Sequence, residues 1–295
     1  MGKDEAGKMD HYDPTVGTNN KGLINRAKGL NTGGTKEYLM RPFNGIFQQD
    51  RLFPSGTRID VTFIPSKSVF NLMADAEDGS DKYKTVISDM ELHMRQVKPL
   101  PSVLASIITE RENKNLLYPF RKLSTTPLTI PTGNQSLTRV INEGTMPRRV
   151  WVVMVEEAAR FGSYKLNPLN LQHFDTTDIY LSVNSEAFPK EHLKPNFGRD
   201  IFKECYFTLF SQMGCMFDDC GIDLTLNDYK NGHTIFAFDL TADMEDGAHR
   251  EVRKNADIKL HLTLGSAHGK AIDVLCIKEY ESILEIDKND KVYIQ

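Results

Sequence analysis

The sequence predicts an all-β protein, an antiparallel sandwich interrupted by two short helical insertions. Two patterns predict it. From Phe43 onward, short runs of alternating apolar and polar residues are separated by turn residues. Strands also fail to alternate regularly with helices, as parallel βαβ units require. Hydrophobic residues make up 40% of the 295 residues, enough for a substantial core. A sandwich can run to about 200–250 residues as one unit, which leaves room for a tail.

Residues 1–37 are rich in Gly, Asn, Lys and Asp and show little hydrophobic periodicity, so they are expected to form a flexible N-terminal arm or inter-domain linker. Their basic fragment is Lys21, Arg26 and Lys28. Residues 38–295 are expected to form the β domain. Pro54-Ser55-Gly56 makes a turn, after which Ile59, Val61 and Phe63 alternate with Arg58, Asp60 and Thr62, the pattern of a strand with one buried face. Further strands are predicted at residues 69–73, 83–97, 128–130, 150–155, 178–183, 234–240, 258–264 and 271–286. Their number is close to the eight of a jelly roll. Within 83–97, Met90, Leu92 and Met94 share one face while Glu91, His93 and Arg95 share the other. Asn184-Ser185 marks a hairpin turn ahead of Phe188 and Pro189.

One helix is predicted over residues 101–112, with Pro101 in its opening turn and Leu104, Ile107 and Ile108 on one face. A second is predicted over residues 200–213, with the Asp200 carboxylate as cap and Phe202, Cys205, Tyr206, Leu209 and Met213 on one side. Both are expected to pack over a sheet end.

The net charge of −4 argues against broad electrostatic capture of nucleic acid, which needs clustered Lys and Arg. Cys205, Cys215, Cys220 and Cys276 form no regular framework, so free thiols in a reducing compartment are expected. The first residues lack the apolar run of a signal peptide, and no stretch is apolar for the length of a membrane span. Asn134-Gln135-Ser136 is read as an unused turn.

Several residue sets carry chemistry on paper. Gly265-Ser-Ala-His-Gly269-Lys270 resembles a phosphate loop, yet it is one residue short between its glycines and has Ala271 where Ser or Thr would bind magnesium. It is expected to be a strand-to-strand turn. Cys215 and Cys220 flank Asp218 and Asp219, but the spacing is not that of a zinc site. Glu91 and His93 could share a strand face as in a cupin-type metal enzyme, which needs a further inward His. His173, His233 and His261 occur in no His-x-His arrangement that would supply it. Ser163, His173 and Asp175 spell a hydrolytic triad, without a nucleophile elbow around Ser163. Arg148 and Arg149 read as a solvated strand entry, and Trp151, in RRVWVVMV, as a core residue. No catalytic residue, metal site or cofactor is expected.

Seven segments carry a family resemblance: FNGIFQQDRLFPSGTRIDVTFIPSKSVFNLM, YKTVISDMELHMRQVKPLPSV, TIPTGNQS, FGSYKLNPLNLQHF, IYLSVNSEAFP, FAFDLTADM and ESILEID. In that order they resemble the major capsid proteins of Polinton (Maverick) elements and adintoviruses, as does NNKGLINRAKGL before them. The resemblance implies two successive jelly rolls in the intact family protein, a homotrimeric capsomer of pseudo-hexagonal outline, other capsid subunits as partners and a place in the virion. It implies neither a small-molecule substrate nor a membrane, and does not indicate nucleic-acid contact. The matched segments cover the later part of such a protein, so this chain corresponds to the second roll and is expected not to close a capsid alone. The rival reading from the architecture is a carbohydrate- or partner-binding jelly-roll module, and after it a cupin-like metalloenzyme.

Overall fold

The computed structural model describes residues 11, 21–30, 34–76, 83–213, 223–241, 254–289 and 291–294. Among the described residues nine strands carry the fold: β1 (Leu116–Ile130), β2 (Ser136–Asn142), β3 (Arg149–Glu156), β4 (Thr176–Val183), β5 (Glu186–Leu193), β6 (Phe236–Asp239), β7 (Ile258–Leu264), β8 (Ile272–Ile286) and β9 (Val292–Ile294). The helices are α1 (Lys21–Ala27), α2 (Gly45–Gln48), α3 (Ser68–Asn71), α4 (Pro101–Asn113), α5 (Glu157–Phe161), α6 (Lys203–Gln212) and α7 (Leu226–Lys230).

The strands form two sheets, one ordered β1-β8-β3-β6 with β9 also on β8, the other β2-β7-β4-β5. Neighbours therefore include the pairs 1·8, 2·7, 3·6 and 4·5. A single long hairpin, with strands one to four running up and five to eight running back, gives these four pairs when it is rolled into two facing sheets. This is the jelly roll. The ladders that join β3 to β6 and β8, and β4 to β5 and β7, are all antiparallel.

Side-chain alternation fixes which face each strand buries. In β7, Ile258, Leu260, Leu262 and Leu264 are buried while Lys259 and Thr263 are exposed. They meet Ile179 and Leu181 of β4, and across the sandwich Val150, Val152 and Met154 of β3 with Ile272, Val274 and Cys276 of β8. The β4–β5 hairpin turns at Asn184 and Ser185, both at positive φ, as a two-residue hairpin loop requires. Helix α6 adds Cys205 and Leu209 to the core, with Tyr206 and Met213 packed against it.

The chain divides into two compact units. The first comprises Met1–Tyr38, Pro65–Thr85 and Leu123–Glu279 and holds the sandwich core. The second comprises Leu39–Ile64, Val86–Lys122 and Tyr280–Gln295. Its own small core is Tyr118, Leu284 and Ile286, with Ile46, Phe53, Leu116 and Phe120 packed against them. Phe53 stacks on Tyr118 at 4.6 Å between ring centroids.

Several expectations are corrected. Among the described residues, 58–63 and 83–97 have no strand partner, and residues 69–73 begin within the helical turn α3 rather than a strand. The first strand of the sandwich starts only at Leu116. The predicted 101–112 helix is present as α4, and its apolar stripe, expected to be covered, has no buried residue. Asp200 does not cap α6: it sits in the left-handed region closing a single 3-10 turn, and Phe202 is the N-cap residue. The αL geometry suits Asp, whose short polar side chain tolerates it.

Candidate interaction surface

The described residues singled out for chemistry are engaged in local structural contacts. Ser163 is buried and its hydroxyl accepts from the Lys165 amide at 3.2 Å, while His173 stacks face to face on Phe197 at 3.9 Å and its Nδ1 accepts from the Asp175 amide at 2.9 Å. Phe174 and Asp175, both at positive φ, form the tight turn into β4. The imidazole nitrogen a triad would use is thus committed to holding a turn. Burial, with Lys230 and His268 nearby, holds the His173 imidazole below its usual pKa, against the opposing pull of Asp175.

The sign of that shift gives a testable outcome. The unfolded chain takes up this proton at a higher pH than the folded chain does, so stability falls as pH drops through the ordinary histidine range and levels off below the folded value. Thermal melts between about pH 7 and pH 5 should show a shallower loss in His173→Phe than in the parent. An unchanged slope would place the acid-sensitive group elsewhere.

The Gly265–Lys270 run is the turn that carries the chain from β7 in one sheet to β8 in the other. The Gly265 amide donates to the Asp175 carbonyl at 2.8 Å, and a Cβ on Gly265 would collide with the Asp175 carboxylate. Lys270 pairs with Glu156 at 2.8 Å, so its ammonium already serves a carboxylate. Glu91 and His93 are both exposed and 3.4 Å apart on an extended segment, the polar face expected of them. Among the described residues no group of three or more His, Cys, Asp or Glu could hold a metal ion, and no helix is long and apolar enough to cross a membrane. Cys215, Cys220, Asp218 and Asp219 lie outside the described residues.

Cys205 and Cys276 are free and buried, and burial pushes both thiols up to about 12. The thiolate is the reactive form. Neither should react with an aromatic disulfide reagent at about pH 8 in the folded protein, and both should react once denaturant is added. Prompt native labelling of either, read by peptide mass, would contradict the burial.

Arg149 departs most from its expected role. It is buried, with Nε donating to Asp239 Oδ2 at 2.8 Å, and Glu279 lies at 3.9 Å. The sequence signal was weak, because Asp239 lies 90 residues away. Trp151 is half-buried and packs against the core, as expected.

On the outer face of the second sheet, Thr138, His261, Tyr180 and His192 form a row across all four strands. Tyr180 lies between His192, at 3.6 Å and 16°, and His261, at 4.5 Å and 1°. Both faces of the phenol ring are therefore covered, and a sugar ring has no flat face to stack on there.

What remains unpartnered is apolar surface. Val86, Ile87, Met90, Leu92, Met94 and Val97, then Val103, Leu104, Ile107 and Ile108 of α4, are all exposed. Large apolar side chains exposed in such number over a short stretch of chain favour an interaction surface.

No family model matches the chain. Among curated proteins it is 23% identical over 259 residues to "Uncharacterized protein F54H12.2" of Caenorhabditis elegans, covering 85% of this chain and 60% of the relative. The chain thus spans less than two thirds of that relative's length. Solved structures similar to it include the Sputnik virophage by cryo-EM (14% identity, TM-score 0.39, 61% of this chain and 39% of that one). Others are the mavirus major capsid protein (11%, 0.34, 62% and 41%) and the PBCV-1 virus capsid (8%, 0.36, 64% and 54%).

Proposed function

We propose that this chain is a structural, non-enzymatic protein that acts by assembly, the second jelly roll of a major capsid protein of the Polinton and adintovirus type. Its partners on this reading are other capsid subunits, in a homotrimer in the intact family protein, and its place is the virion. The observation that carries the reading is the filling of the sandwich. Inward positions on β3, β4, β7 and β8 are Val, Ile, Leu, Met and Cys. A cupin-type enzyme needs metal ligands at such positions, and a binding module needs a cavity or platform. Here the interior is packed and apolar, while large apolar side chains lie exposed outside it.

The test is co-assembly. The chain is added to a two-roll capsid protein of the resembled family during particle formation, and the mixture is separated on a density gradient. The reading predicts that the chain sediments with the particles; a chain left wholly at the top would overturn it. Alone, the chain should give no uniform shells by negative-stain microscopy, because one eight-stranded roll supplies half of the lateral contacts that a two-roll capsomer makes, and closed symmetry needs every interface met. Uniform shells from the purified chain would contradict this.

A further inference from the structure

The segment Ile87 to Val97 is strand-like in every respect except that it has no partner. It runs extended, its apolar and charged residues alternate, and its apolar side chains are 45% to 56% exposed. Among the described residues its backbone makes no hydrogen bond to another backbone group; the Met90 amide donates only to the neighbouring Asp89 carboxylate at 2.8 Å. An unpaired strand of this kind is a template for another strand.

We propose that this segment pairs antiparallel with the same segment of a second copy of this chain, about a twofold axis through Leu92. The sequence is complementary to itself in that register and in no neighbouring one. Leu92 meets Leu92, Met90 meets Met94, and Ile87 meets Val97. Asp89 meets Arg95 and Glu91 meets His93, each twice by symmetry. Directly opposed residues share a face of the ribbon, so one face carries Met90, Leu92 and Met94 from both copies and the other carries the Asp89–Arg95 and Glu91–His93 pairs.

Sliding the axis breaks the match. Centred on Glu91, the pairing sets Ile87 against Arg95. Centred on Met90, it sets Asp89 against Glu91. Centred on His93, it gives Glu91 to Arg95 but leaves Asp89 against Val97. The 3.4 Å contact between Glu91 and His93 within one chain is exchanged for the same pair made across the axis. An isologous contact of this type closes at two copies and does not propagate. The inference does not rest on the capsid reading.

Charge exchange tests it. Sedimentation velocity over a wide concentration range should show a monomer–dimer equilibrium. Asp89→Arg and Arg95→Asp each set like charges opposite one another at two positions, and each should weaken the dimer about tenfold or more. The double variant Asp89→Arg/Arg95→Asp restores opposite charges and should recover dimerisation. Leu92→Cys should cross-link to itself on oxidation, whereas Met90→Cys, offset from its own copy, should do so far less. Circular dichroism checks folding; the one described bond that the variants remove is the local one from the Met90 amide to Asp89. A monomer at all concentrations, or single variants that dimerise as the parent does, would overturn the proposal. Recovery in the double variant supports it. Self-association that ignores both single charge variants overturns this interface and leaves the capsid reading standing.

Discussion

Arg149→Ala should lower the stability of the sandwich by about 3–5 kcal/mol, the cost of leaving a buried charge without its partner. The Asp239 side chain is wholly buried at the end of β6, and that of Arg149 is 5% exposed. Besides Arg149, the Asp239 carboxylate accepts from the Thr241 amide at 2.9 Å and the Thr241 hydroxyl at 2.5 Å, while its own amide donates to Gln212 at 2.7 Å. Those neutral donors orient the carboxylate without neutralising it. Arg149→Lys keeps the charge and should cost less, while Arg149→Met with Asp239→Leu removes both charges and should recover most of the loss. Denaturant unfolding followed by circular dichroism measures all three. A loss below about 0.5 kcal/mol for Arg149→Ala is what a surface site gives, and would mean that water reaches Asp239.

Phe236→Ala should cost about 3–5 kcal/mol, the range for removing a buried aromatic side chain. Phe236 is 1% exposed in the main core, opposite Val152 of β3 in the ladder. Phe207, on the outer side of α6, is 56% exposed, and Phe207→Ala should fall within about 0.5 kcal/mol of the parent. Equal losses at both positions would contradict the assignment of the inward face of β6 and the outward face of α6.

The strands legible in the sequence are those that bury a face. In β7 the alternation of Ile258, Leu260, Leu262 and Leu264 with Lys259, His261 and Thr263 gives its bounds to the residue, and β3, β4, β6 and β8 are found for the same reason. The strands passed over lie at edges or are largely exposed. Of β1 only residues 128–130 were foreseen, because Pro119, Pro127 and the charged Arg121-Lys122 interrupt its pattern; an edge position tolerates such residues. Strand β5 carries Pro189 and three charged residues at the other sheet's edge, and β2 is exposed at four of its seven positions.

The opposite error has one cause. Alternation reports that a segment has two unlike faces, which residues 58–63 and 83–97 do, but a strand also needs a neighbour to bond with. Alternation alone does not say which neighbour that is, or whether the same chain supplies it. The apolar filling of the sandwich was readable from residue types. The Arg149–Asp239 pair was not, since its partners meet only when β3 and β6 come together. The His261–Tyr180–His192 stack was equally hidden, because it needs the register of three strands.

Native mass spectrometry of the chain, purified without chelator from a reducing cytosol, tests the central claim most directly, since one spectrum reads bound metal, bound small molecules and copy number together. A structural protein that works by assembly should fly as the bare polypeptide mass with its four cysteines reduced, in monomeric and oligomeric series. A monomer carrying one stoichiometric metal ion or one retained organic ligand would contradict it.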